Sequence, residues 1–122
     1  MATPWTVCFD AADPHRLAAF WAVALGYVAE PGYEGADGAS IVDPDGRGPA
    51  IAFLRVPEGK SAKNRVHLDV RPAGPVTDEA AARGLAERLV ARGATVTGEE
   101  RYGGTFGHLV MRDPEGNEFC IA

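Results

Sequence analysis

The side chains best suited to chemistry cluster late in the chain. His67 and Asp69 alternate along one extended stretch, and Glu118 and Cys120 alternate along another. A carboxylate beside an imidazole fixes its tautomer and makes it a general base. The same pair also serves simply to bond neighbouring strands. Cys120 would act as a nucleophile only as a thiolate, and nothing near it in sequence is basic enough to favour that form. A small, space-filling thiol is the plainer reading, and Cys8 reads the same way. Thr6, Cys8 and Asp10 are the polar residues of the opening stretch. Tyr102-Gly103-Gly104-Thr105 reads either as a mobile loop whose tyrosine closes over a ligand or as a long hairpin turn. His15 and His108 lack acidic or sulfur partners at ligand spacing. Asp43-Pro44-Asp45-Gly46 is no calcium loop, since the alternating oxygen ligands and terminal glutamate are missing.

The elements that must position these residues are written twice. Asp43-Pro44-Asp45-Gly46 recurs as Asp113-Pro114-Glu115-Gly116. Pro at i+1 and Gly at i+3 make each a type I turn between strands. A helical stretch ending at glycine precedes each turn, at Gly26 and at Gly93. Asp13 caps the first helix with Pro14 at its first position, and Leu17, Phe20, Trp21, Ala24 and Leu25 form its buried stripe. Thr77 or Asp78 caps the second, whose stripe is Ala81, Ala82, Leu85, Leu89 and Val90. A strand precedes each helix, over residues 5–10 and 65–71. Each half thus reads strand, helix, strand, strand, turn, strand: module one is 1–56, a polar linker spans 57–64, and module two is 65–122.

Parity assigns the faces. Val7 and Phe9 go to the helix side, which leaves Thr6, Cys8 and Asp10 on the open side. Val66, Leu68 and Val70 pack under the second helix, exposing His67 and Asp69. Phe119 and Ile121 go to the core, leaving Glu118 and Cys120 opposite. Parity in residues 50–56 is ambiguous, because the run is apolar up to Arg55.

With 122 residues, 46% of them hydrophobic, the chain is long enough for one core without disulfides. A net charge of −5 argues against nucleic-acid binding. The longest apolar run is interrupted and too short for a membrane span. No signal-like segment opens the chain, and two cysteines make a poor disulfide framework, so reduced thiols and a cytoplasmic location are expected.

A duplicated βαβββ chain of this length resembles the vicinal oxygen chelate superfamily of glyoxalase I, bleomycin-resistance proteins and extradiol dioxygenases, in its glyoxalase-like branch. The likeness rests on Asp13-Pro14 with Leu17-Ala18-Ala19-Phe20-Trp21 and Leu25-Gly26, on residues 63–69, and on residues 113–120, in that order. It implies a single α+β domain over 1–122, two tandem βαβββ modules forming a curved mixed sheet. It also implies metal ligands on the first and last strand of each module, usually His, Glu or Gln. The matching positions are Thr6, a residue near Ala52 or Phe53, His67 and Cys120, and only His67 is a usual ligand. A catalytic metal site normally needs three protein ligands, so no metal cofactor is expected.

The favoured expectation is a small-molecule-binding protein with a degenerate metal site, serving ligand sequestration or resistance. Thr6, Cys8, His67, Glu118 and Cys120 supply polar points, and Phe53, Tyr102 and Trp5 the apolar wall, of a cup between the modules. The rival is a metal-dependent lyase, isomerase or dioxygenase using His67, Glu118 and Cys120. A second rival is a self-association domain with a vestigial site. A homodimer is expected, with a small organic molecule as partner and neither nucleic acid nor membrane.

Overall fold

Asp13 and Pro14 start the first helix as their chemistry requires. In the computed structural model, which describes residues 1–122, Asp13 is extended and its Oδ1 accepts the Arg16 N–H at 3.2 Å. Pro14 follows in the first turn, where a missing N–H removes no helical bond. Helix α1 (Pro14–Leu25) closes on Gly26, whose φ of +70° is the left-handed conformation that suits glycine. Its buried face carries Leu17, Ala18, Phe20, Trp21 and Ala24, while Leu25 is half-buried.

The chain divides into two compact units, Met1–Gly59 and Lys60–Ala122. Unit 1 sets α1 on a four-stranded mixed sheet of β1 (Val7–Ala11), β2 (Val28–Ala29), β3 (Gly38–Val42) and β4 (Ile51–Arg55). The strand order is β1-β4-β3-β2, with β1 parallel to β4 and the other pairs antiparallel. Its core is aromatic. The Phe9 ring lies 5.3 Å from that of Trp21 and 5.3 Å from that of Phe53. Such edge and tilted contacts add about 0.5–1.5 kcal/mol each beyond burial. The expected parity of β1 holds: Cys8 and Asp10 are exposed, and Phe9 turns to the core. The strand starts at Val7, later than expected, so Thr6 and the exposed Trp5 precede it.

Unit 2 repeats the plan. Helix α2 (Glu79–Val90) is capped by Asp78, whose Oδ1 accepts the Ala81 N–H at 3.0 Å. Ala82, Leu85, Ala86 and Leu89 form its buried stripe. Val90, expected in that stripe, is exposed instead, because the helix ends there and the chain turns away through Gly93. The sheet has β5 (Asp69–Val70), β6 (Thr95–Tyr102), β7 (Thr105–Arg112) and β8 (Glu118–Ile121) in the order β5-β8-β7-β6, with β5 parallel to β8. The mixed sheet expected from the sequence is therefore two four-stranded sheets, one in each unit.

Two expectations fail on β5. The strand has two residues rather than seven, since only Asp69 and Val70 pair with β8. Val66 is 79% exposed and does not pack under α2; Leu68 is half-buried and Val70 buried. Without a ladder to hold the alternation, parity carries no force upstream of Leu68.

The two Asp-Pro-acid-Gly turns share one mechanism. Asp43 and Asp113 each accept the N–H three residues on through their backbone oxygens, from Gly46 at 3.0 Å and Gly116 at 2.9 Å. Their carboxylates accept further N–H groups, from Asp45, Arg47 and Gly48 in one case and Glu115 and Asn117 in the other. Those bonds hold the Asp43 carboxyl below the ordinary carboxylate range. The return differs: residues 47–50 separate the turn from β4, whereas Asn117 alone separates it from β8.

Candidate functional site

The short parallel pairing of β5 with β8 places Asp69 opposite Cys120, and the Cys120 N–H bonds to the Leu68 carbonyl at 3.0 Å. Phe119 and Ile121 are buried on the helix side, so Glu118 and Cys120 lie on the side α2 leaves open. His67 joins them there, its Nε2 3.2 Å from Asp69 Oδ1. One ligand atom each from His67, Asp69 and Cys120 lie within 4.8 Å of one another. The His67 and Asp69 side chains are 44% and 55% exposed, and Cys120 is half-buried. A nitrogen, an oxygen and a sulfur donor thus converge on one solvent-facing spot.

Electrostatics keep that sulfur protonated. Burial pushes the Cys120 thiol above its ordinary value, the Asp69 charge adds to this, and Lys63 opposes it. A raised thiol is a weak nucleophile at neutral pH. It is a metal ligand only if the metal displaces its proton. The donor set matches in number what a catalytic zinc site uses, with His nitrogen, carboxylate oxygen and cysteine sulfur.

Glu118 does not join the three, although it is on the same strand face. Its carboxylate accepts the Asn64 N–H at 2.8 Å and pairs with Lys60 Nζ at 3.1 Å. The backbone bond first, then the lysine, lowers its pKa to about 2. The third donor expected at Glu118 is therefore Asp69. Lys60 also donates to the Ala62 carbonyl, so residues 60–64 are tied down along the edge of this site.

The remaining expected site residues are placed as follows. Thr6 is exposed ahead of β1. Cys8 is exposed on the open side of β1, its thiol raised by partial burial and by Asp10. Phe53 departs from its expected place: it is 0% exposed, in the core of unit 1 against Phe9. Tyr102 is exposed at the end of β6 with its ring centroid 6.3 Å from that of His108. Gly103 and Gly104, with φ of +59° and +83°, form a two-residue turn that pairs Tyr102 with Thr105, so the long loop is absent.

Unit 1 carries the counterpart of the site with different chemistry. The Val56 N–H bonds to Ala11 O as the Ala122 N–H bonds to Val70 O, and Asp10 pairs with Leu54 as Asp69 pairs with Cys120. The positions matching His67, Asp69 and Cys120 are Cys8, Asp10 and Leu54. Leu54 directly follows the expected position near Ala52 or Phe53, whereas the first-strand counterpart is Cys8, two residues beyond Thr6.

A cavity of about 470 Å³ opens on the same side of unit 2's sheet. Thr97, Val110, Arg112, Glu118, Lys60 and Lys63 are among the residues that line it. Val110 is the β7 partner of Cys120, so the cavity adjoins the three donors.

The family model for the glyoxalase-like domain matches residues 6–122. The chain belongs to the glyoxalase-like domain family. Its structural neighbours lie in the glyoxalase, bleomycin resistance and fosfomycin resistance group of the vicinal oxygen chelate superfamily. A glyoxalase/bleomycin resistance protein/dioxygenase family enzyme from Burkholderia phytofirmans has a TM-score of 0.73 at 20% identity, with 95% of this chain and 94% of that one covered. The bleomycin-binding protein of Streptomyces verticillus, solved with copper(II)-bleomycin, gives 0.59 at 18% identity over 100% and 96%. A fosfomycin resistance protein from Listeria monocytogenes, solved with Mn(II) and dihydroxypropylphosphonic acid, gives 0.73 at 14% over 99% and 90%. At these identities the likeness is one of fold. No curated protein matches this sequence. No helix is long and apolar enough to cross a membrane.

Proposed function

We propose that this glyoxalase-like protein binds a small, partly apolar organic molecule on the open side of its second sheet, with no resident metal. The observation that carries the reading is the convergence of His67, Asp69 and Cys120 beside a 470 Å³ cavity, on a face no helix covers. That volume is in the range of small-molecule sites, and the lining sets Ala62 and Val110 among charged and hydroxyl side chains. Leu54 at the counterpart of Cys120 supports a degenerate metal set, since it offers no donor. The copper-bleomycin complex of a protein with this fold supports sequestration or resistance as the role. A homodimer belongs to the same proposal: β1 and β5 each have a strand neighbour on one side only, and unpaired edges favour association.

The test is a thermal-shift screen of small molecules with and without divalent metals, on protein purified without chelator or histidine tag. Ligands that stabilise the metal-free protein and lose affinity in His67→Ala support the reading. Hits indifferent to His67, or no hits at all, reject it.

A second reading is a metal-dependent lyase, isomerase or dioxygenase. It is favoured by the three donors within 4.8 Å and by the Mn(II) of the fosfomycin resistance protein. His67, Asp69 and Cys120 would hold the ion, which supplies Lewis-acid polarisation of a carbonyl or enolate. Elemental analysis near one metal per chain, lost in His67→Ala, would select this reading over the first.

A further inference from the structure

The cavity beside Cys120 has an uneven charge. Its lining carries Lys60, Lys63 and Arg112 against Glu115 and Glu118. Glu118 is already matched by Lys60 and by the Asn64 N–H. The Lys63 and Arg112 side chains form no salt bridge, and Arg112 stands opposite Glu118 in the β7–β8 register. The Thr97 hydroxyl is engaged with the Val110 carbonyl at 3.3 Å, which leaves Ser61 as the free hydroxyl of the lining.

We propose that this cavity takes the oxyanion head of a small organic anion, a carboxylate or a phosphonate, held between Lys63 and Arg112. The proposal rests on reading the open side of unit 2 as the binding face, and it names the ligand class. Arg112 offers a planar fork of donors that matches such oxygens in pairs, and Lys63 adds a point charge. Val110, which lines the cavity, stands opposite Cys120 in the β7–β8 register, so the cavity lies next to the strand position that carries the thiol. Val110 in the lining gives the carbon skeleton an apolar surface.

Methylphosphonate, acetate and neutral acetamide are titrated into the full chain at low salt, with amide shifts as readout. The oxyanions should bind saturably and acetamide should not. Arg112→Gln and Lys63→Gln should each weaken binding about tenfold or more, and Arg92→Gln should leave it unchanged. Raising salt to about 0.5 M should weaken it further. The ratio of methylphosphonate to acetate affinity then tells which head the cavity prefers. Equal binding of acetamide, insensitivity to both substitutions in variants that melt as the parent does, or no saturable oxyanion binding overturns the proposal. A neutral hit from the thermal-shift screen that depends on His67 but not on Lys63 or Arg112 also overturns it, while the binding reading stands. If nothing binds in either experiment, both fall.

Discussion

The imidazole Nε2 of His67 stands 3.2 Å from Oδ1 of Asp69, across two residues of chain, and both side chains remain about half exposed. An exposed pair of this kind is worth about 0–1 kcal/mol. His67→Ala should therefore lower unfolding free energy by about 1 kcal/mol at most. Leu89→Ala, which empties a fully buried position under α2, should cost about 2–5 kcal/mol. Val66→Ala should change stability by less than about 0.5 kcal/mol, given its exposure. Urea unfolding of the three variants checks the set, and a His67→Ala loss as large as that of Leu89→Ala would remove the site from the open face.

Glu118 makes stability acid-sensitive in a defined window. Its folded pKa of about 2 lies below the ordinary 4.5, so its contribution is fully present above pH 4.5. That contribution is lost as pH falls from 4.5 toward 2. Glu118→Gln should be less stable than the parent at pH 7, and the gap should close through this window. Unfolding measured at several pH values between 7 and 2.5 decides it; a gap independent of pH contradicts the assigned partners.

Both thiols are pushed upward, each by burial first and then by a neighbouring aspartate. Iodoacetamide should modify Cys8 and Cys120 at neutral pH more slowly than a free peptide thiol, with rates still rising above pH 9. Asp69→Asn should speed Cys120 and leave Cys8 unaffected. Mass-spectrometric alkylation rates report this, and fast labelling of Cys120 at pH 7 would show an activated thiolate instead.

The exposed Tyr102 ring lies over Gly107. A Cβ there would clash with the Tyr102 ring and fall 3.0 Å from the Glu100 carbonyl. Gly107→Ala should destabilise by about 1–3 kcal/mol. Adding Tyr102→Ala should recover part of that loss, the remainder belonging to the backbone oxygen. Full additivity in the double-mutant cycle would show that the ring is not seated there.

Local chemistry made much of the fold legible. Asp13-Pro14 and Gly26 mark the ends of α1 because capping and left-handed φ are short-range demands, and the paired Asp-Pro-acid-Gly turns repeat because each aspartate holds its own turn. The faces of β8 follow from Phe119 and Ile121. Asp69 meeting Cys120 is a different matter, since it depends on the register of a parallel pair whose strands are far apart in sequence. Phe53 sits in an apolar run with no alternation to read, and Val66 lies where no ladder enforces one. Lys60 and Asn64 looked like linker residues, and only their bonds to Glu118 give them a place at the site.

The pairing of Asp10 with Leu54 and of Asp69 with Cys120 uses backbone bonds alone, identical in both units. The side chains on that face are thus decoupled from the bonds that specify the architecture. A duplicated ancestor on this plan could exchange donors for hydrocarbon in one copy while the other kept its heteroatoms, and neither copy would pass through an unfolded intermediate. Divergence after duplication on such a plan needs no change of backbone, and Leu54 opposite Asp10 keeps the register that Cys120 keeps opposite Asp69.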